Sequence, residues 1–263
     1  MIVDSHAHLD SDAFDSDRDE IVSRALEAGV ERIITIGCDL ESSHDAIELA
    51  EKYPSVYAAV GIHPTYVHTI EDPNWLEVLR KLAGHPKVVA IGEIGLDYYH
   101  PPGGGMTEAD YKAQQSEFFI RQLELTAELN MNAVIHQRNS SEDTASHVVP
   151  FDDRLQAVFH CFSGSPAEAA ALIERGHLVS FTGIASFKNA KDVHETVKSV
   201  PADKFMVETD APYLSPVPYR GKRCEPAYTR NIAEAIAAHR GVTLQEIEQA
   251  TTQTAFEFFK GLE

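Results

Sequence analysis

Short apolar runs rich in Val and Ile recur along the chain, each followed by a polar or glycine-containing turn and then a helical pattern. They cover 2–3, 32–36, 56–60, 88–91, 132–135, 156–159, 177–181 and 205–207. Unbroken apolar runs of this kind suit strands buried on both faces of a parallel sheet. The segments between them carry helix signals. Ser165-Pro166-Ala167-Glu168 reads as a capping box with Pro at the first helical position, and Gly176 closes that helix. Thr243-Leu244-Gln245-Glu246 opens another, whose apolar face includes Ile247 and Phe256.

The residues just beyond the runs fall at 8, 37, 63, 93, 136, 160, 183 and 210. Such even spacing, with one longer gap between 93 and 136, is what a (β/α)8 TIM barrel predicts, since each unit must cross over and return. A doubly wound open sheet shares the alternation. The long gap holds His100-Pro101-Pro102-Gly103-Gly104-Gly105, which reads as an extended loop, either a lid or a tolerated insertion. No linker or repeat interrupts the pattern, so the expectation is one α/β barrel domain over 1–263, with two helices packing on it from about residue 225.

Composition narrows the class. With 43% hydrophobic and 24% charged residues the chain has the makeup of a globular protein with a large core. Its net charge of −19 excludes a binder that holds nucleic acid by bulk positive charge. Any polyanion would have to meet a local patch or a metal. Three widely separated cysteines, Cys38, Cys161 and Cys224, support neither a disulfide framework nor a thiolate zinc site. No basic leader precedes an apolar stretch and no run approaches ~18 apolar residues, so a cytoplasmic protein is expected.

The chemistry gathers where the strands end. His6-Ala7-His8 follows the first strand, and alternation would turn both imidazoles to one side. Asp4 would share that face one layer lower, as a partner orienting a histidine. Glu93 ends the fourth strand, His136 the fifth, His160 the sixth and Asp210 the eighth. In a barrel these ends converge on one mouth, where a His or a carboxylate is costly unless paired or bound to metal. Four histidines and two carboxylates suit two divalent ions, with Glu93 as the bridge and Mg, Mn or Zn all compatible. Asp210, with Glu93 beside it, is the candidate catalytic base for metal-assisted hydrolysis.

Candidate phosphate contacts are Arg220, Lys222 and Arg223 after the eighth strand, Lys188 after the seventh, and Arg138 beyond His136. Alternatively these charges pair with neighbours such as Glu225. His63 either touches substrate or caps its strand, and Glu208 lies on the inner face beneath Asp210. Cys161 is expected to point away from the site. Trp75 reads as a packing residue, and His44, His68, His85, His147, His177, His194 and His239 as solvated.

Longer strings make the combination specific. They are Asp4-Ser5-His6-Ala7-His8-Leu9-Asp10, Gly61-Ile62-His63-Pro64, Ile91-Gly92-Glu93-Ile94-Gly95-Leu96-Asp97-Tyr98-Tyr99, Val134-Ile135-His136, His160-Cys161-Phe162-Ser163-Gly164, Val207-Glu208-Thr209-Asp210-Ala211-Pro212-Tyr213-Leu214, Pro218-Tyr219-Arg220-Gly221-Lys222-Arg223 and Glu225-Pro226. Together they resemble the TatD-family deoxyribonucleases, a branch of the metal-dependent amidohydrolase superfamily. The resemblance implies a (β/α)8 fold and metal-dependent hydrolysis of nucleic-acid phosphodiesters, often as a 3′→5′ exonuclease that prefers single strands. It implies His6, His8, Glu93, His136, His160 and Asp210 as metal ligands.

This chain departs from the family in reading His136-Gln137-Arg138-Asn139 where His-Ser-Arg-Asp is usual, and in its longer 101–105 loop. The expected partner is single-stranded DNA at its 3′ end, with RNA or tRNA as other nucleic-acid substrates, no membrane, and a monomeric enzyme. Competing readings are a D-aminoacyl-tRNA deacylase or another ester hydrolase of the superfamily and, more remotely, a non-catalytic metal-loaded binding protein. Two carboxylate ligands and two divalent ions would leave the inner site positive, so the charge of −19 would describe the outer surface.

Overall fold

The computed structural model describes residues 1–262. All eight apolar runs form strands: β1 (Ile2–Ala7), β2 (Val30–Ile36), β3 (Val56–Val60), β4 (Val88–Asp97), β5 (Ala133–Arg138), β6 (Ala157–Phe159), β7 (Leu178–Phe181) and β8 (Phe205–Val207). They hydrogen-bond as parallel neighbours in the order β1 to β8, each followed by helix on the outside. The ring closes between β1 and the chain just past β8. There Ala7 bridges Ala211, the His8 amide donates to the Ala211 carbonyl at 2.8 Å, and the Asp210 amide donates to the His6 carbonyl at 2.9 Å. The fold is a nearly closed (β/α)8 barrel, and the open-sheet alternative is gone.

Nine α-helices are found among the described residues: α1 (Arg18–Glu27), α2 (Leu40–Lys52), α3 (Trp75–Ala83), α4 (Glu108–Glu128), α5 (Ser141–Val148), α6 (Pro166–Glu174), α7 (Lys191–Ser199), α8 (Thr229–Arg240) and α9 (Leu244–Phe258). The expected capping boxes are present at Ser165–Glu168 and Thr243–Glu246. Past α6, Gly176 takes φ +91° and its amide donates to the Ile173 carbonyl, the left-handed stop that glycine permits. Trp75 is buried against Phe118, with ring centroids 4.4 Å apart.

Two apolar clusters result. The larger fills the space between strands and helices. The smaller lies inside the barrel, where Ile34, Tyr57, Val134 and Met206 meet Phe258 and Phe259 from the end of α9. No helix among the described residues is long and apolar enough to cross a membrane.

Several strands run further toward the mouth than the apolar runs suggest. Glu93 sits in the middle of β4, which continues to Asp97, and His136 lies inside β5. Residues Ile94 to Asp97 pair with Ile135 to Arg138, so backbone pairing extends the strands beyond their hydrophobic cores. His6 likewise falls within β1.

Candidate metal centre

Six side chains from five strands meet at the mouth. The His6 Nε2 atom lies 3.3 Å from His8 Nε2, 3.5 Å from Glu93 Oε2 and 3.7 Å from Asp210 Oδ1. His8 Nε2 is 3.4 Å from the same Asp210 oxygen. The other Glu93 oxygen, Oε1, is 2.7 Å from His136 Nδ1, 2.5 Å from His160 Nε2 and 3.7 Å from His63 Nε2. One carboxylate therefore presents an oxygen to each of two donor clusters. All six residues expected as ligands are brought together, and Glu93 stands between the groups.

The hydrogen-bonding logic suits cations. The outer nitrogen of His136, Nε2, donates to Asp97 Oδ2 at 2.9 Å, and that of His8, Nδ1, faces the Ile36 carbonyl at 3.2 Å. With outer N–H groups so engaged, the inner nitrogens aim lone pairs at carboxylates that also carry only lone pairs. Such a set repels itself unless a proton or a metal lies between. Donor separations of 3.3 to 3.7 Å in the first cluster also match the ~3.4 Å expected between ligands held tetrahedrally at about 2.1 Å. The residues thus fit the metal that their donor types imply.

Burial opposes ionisation of Glu93, but the imidazoles of His160, His63 and His136 outweigh it and hold the carboxyl well below its usual range. Asp210 is partly exposed at the rim, and His8, His6 and His160 keep it ionised against the desolvation it suffers. Its backbone lies in the left-handed region at φ +57°, a strained conformation for a non-glycine residue, where it turns the carboxylate in from the chain past β8. Burial, then the neighbouring His136, lowers His63 to about 3, so that ring is neutral. His63 also caps: its Nδ1 accepts from the Thr65 amide at 3.2 Å, leaving Nε2 toward Glu93.

Two supporting residues are arranged differently from expectation. Asp4 does not orient a histidine ring. Its carboxylate accepts from the Thr209 amide at 2.9 Å and the Thr209 hydroxyl at 2.6 Å, tying β1 to the closing segment. The pairing of β1 with β2 shifts register between Asp4 and Ala7, which breaks the simple alternation that placed Asp4 beneath the histidines. Ser5 turns inward instead, its hydroxyl donating to Glu208. Glu208 accepts from the Cys161 amide at 2.7 Å and lies 3.4 Å from His160 Nδ1, so it braces that histidine.

Of the basic candidates, Arg223 is already committed. Its guanidinium donates to Asp17 at 2.9 and 2.6 Å and to the Ala13 carbonyl at 2.5 Å, the neighbour pairing that competes with a phosphate role. Glu225 takes Arg24 rather than Arg223. Arg220 rests over the Phe187 ring at 4.3 Å and Arg138 over the Tyr99 ring at 3.9 Å. Lys188 and Lys222 are exposed, with no ion-pair partner among the described residues.

The segment 101–105 docks rather than floats: a Cβ on Gly103 would meet the His68 ring at 2.3 Å. Asn139, where the resemblance led to the expectation of Asp, takes φ +53°, a turn conformation that Asn tolerates well. His177, expected to be solvated, is fully buried, because its ring is held between the Ala157 amide and Asp152.

Sequence reasoning passed over Asp97 and Cys38 as separate participants. Asp97 accepts from His136, from His100 Nδ1 and from the amides of Tyr99 and His100. A signal was available, because an Asp closing an apolar strand needs partners. The Cys38 thiol lies 3.8 Å from His8 Nδ1, a contact that the pairing of β1 with β2 brings about.

The family profile described as TatD related DNase matches residues 3–260. A Bacillus subtilis (strain 168) protein called uncharacterized metal-dependent hydrolase YabD is 38% identical over 263 residues, 99% of each chain. From Escherichia fergusonii, a protein named 3′-5′ ssDNA/RNA exonuclease TatD is 36% identical over 248 residues, covering 90% of this chain and 91% of its own. Among solved structures, the Escherichia coli K12 TatD homolog YJJV matches with a TM-score of 0.88 at 27% identity, over 98% of this chain and 97% of its own.

Proposed function

The chain belongs to the TatD-related DNase family of metal-dependent hydrolases, and from that premise we propose that it removes nucleotides successively from the 3′ end of single-stranded DNA. Two divalent ions, Mg, Mn or Zn, would be held by His6 and His8 with Asp210 on one side and His136 and His160 on the other, with Glu93 between them. The observation that carries this reading is the divided Glu93 carboxylate, one oxygen toward each histidine cluster. The related exonuclease from Escherichia fergusonii supports the choice of substrate.

When bound, the ions would supply a water acidified toward neutral pH and neutralise charge on the scissile phosphate. This chain's residues do the rest. Asp210, held ionised at the rim of the site, accepts the proton of the attacking water. His63, neutral and with Nε2 inward, is placed to donate a hydrogen bond to a phosphate oxygen. Arg138, Arg220, Lys188 and Lys222 attract the strand backbone at the mouth. Arg223 acts through Asp17 as a clamp on the chain before α1.

Single-stranded DNA labelled at either end, incubated with Mg or Mn and with chelator as control, tests the proposal. Stepwise loss of 3′ mononucleotides that disappears in Glu93→Ala, Asp210→Ala is expected. Equal release by wild type and double variant would overturn it.

A further inference from the structure

The chain has nine Tyr, twelve Phe and one Trp, and most of them are buried or partly buried. Among the described residues the largely exposed aromatic side chains are Tyr66, Tyr99 and Tyr213. The three come from different loops, after β3, β4 and β8, yet all stand at the mouth. The Tyr213 ring is 6.2 Å from the His8 ring and meets it edge to face. The Tyr66 ring is 6.3 Å from that of His63 in the same manner. Tyr99 carries the Arg138 guanidinium on its ring, and its amide donates to Asp97, the residue that holds His136.

Scattered exposed apolar groups are normal on a protein surface. Three aromatic rings gathered around one opening, with no aromatic as exposed elsewhere among the described residues, are not scatter. The chain carries −19 overall and Arg223 is spent on Asp17, which leaves Arg138, Arg220, Lys188 and Lys222 as the cations at the mouth. Charge at the mouth can hold the phosphate backbone of any strand, paired or unpaired, so a preference between them must come from contacts that do not depend on charge. Base-on-ring stacking is such a contact, and every base has a face to offer. In a duplex those faces are already covered by neighbouring pairs, so exposed rings select unpaired bases.

We propose that Tyr66 beside His63 and Tyr213 beside His8 act together as a stacking seat for unpaired nucleobases next to the metal centre, and that Tyr99 with Arg138 forms a second seat after β4. The seats would set the preference for single strands. This rests on the nuclease reading above, and adds to it the part of the substrate that the protein grips. The sugar is not distinguished by stacking, so DNA and RNA strands are expected to seat alike.

The test is fluorescence anisotropy with metal-loaded protein and a short oligoadenylate whose 3′ linkages are phosphorothioates, beside the same strand made abasic at its terminal residues. Wild type should bind the strand with bases about 10-fold or more tightly than the abasic one. Tyr66→Ala, Tyr213→Ala should lose that difference while the slope of affinity against salt stays the same. Tyr213→Trp should keep it. Cleavage of ordinary strands with equal binding of the two oligonucleotides, or a double variant that keeps its affinity, overturns the stacking seat and leaves the nuclease reading intact. Base-dependent binding without cleavage leaves the seat standing and sinks the nuclease reading. A protein that binds neither strand refutes both.

Discussion

At the residue scale, Asp97 shows how one carboxylate sets the state of a ligand histidine. Its Oδ2 receives both His136 Nε2 and His100 Nδ1 at 2.9 Å, which directs His136 Nδ1 inward. Burial opposes its charge, but the bonds from His136 and His100 dominate and keep it ionised. Asp97→Asn retains the size and loses the charge. We expect divalent-metal affinity to fall about 10–100-fold, measured by calorimetric titration of the apo protein; unchanged affinity would remove Asp97 from the centre. The six expected ligands stood out in the sequence because each follows or ends an apolar run where a polar group has no packing reason to be. The inward or outward sense of each was less legible. Asp4 and Ser5 exchange their expected faces because a register shift, which no residue type announces, intervenes.

At the element scale, β4 carries the load. All ten of its residues are buried and it holds both Glu93 and Asp97. Gly95 lies at φ +146°, and a Cβ there would stand 2.0 Å from the His136 carbonyl oxygen. Gly95→Ala must push β4 away from β5 and so separate Glu93 from His136. The expected cost is at or above the upper end of the ~1–3 kcal/mol typical of overpacking, with activity lost along with stability. Gly105→Ala, where nothing lies within 4 Å and only φ +72° resists, should cost about 1–2 kcal/mol. Denaturant unfolding of the two variants decides; equal destabilisation would contradict this account. Runs of Val and Ile mark the buried span of each strand, and caps mark the helices. Neither signal shows how far β4 and β5 continue by backbone pairing past their apolar residues.

At the scale of the whole molecule, charge and pH act through a few buried networks. His177 is fully buried, and its Nδ1 accepts from the Ala157 amide, while Nε2 donates to Asp152 at 3.0 Å. Burial lowers its pKa despite Asp152, since a second proton would displace the amide bond. A base with a depressed folded-state pKa stabilises fully above its unfolded value and loses that contribution as pH falls. The stability advantage of wild type over His177→Gln should therefore shrink between pH 7.5 and 5.5, by at most about 1.4 kcal/mol. Urea unfolding at both pH values checks this, and a constant advantage would show that His177 does not titrate differently on folding.

The sequence by itself determined the alternation of strands and helices and the placing of polar residues at the strand ends. Evenly spaced apolar runs leave little choice but parallel strands with covering helices, and polar residues at the ends of such strands must share one mouth. It could also say that a chain at −19 needs a local device to hold a polyanion. Only the tertiary structure decided how those groups divide their work. The split Glu93 carboxylate, the diversion of Arg223 to Asp17, the burial of His177 and the gathering of Tyr66, Tyr99 and Tyr213 are contacts between residues far apart in the chain. Periodicity reports what each residue's own segment does, while these depend on how the segments pair and pack and, at His6 and Asp210, on closure of the ring where β1 meets the chain past β8.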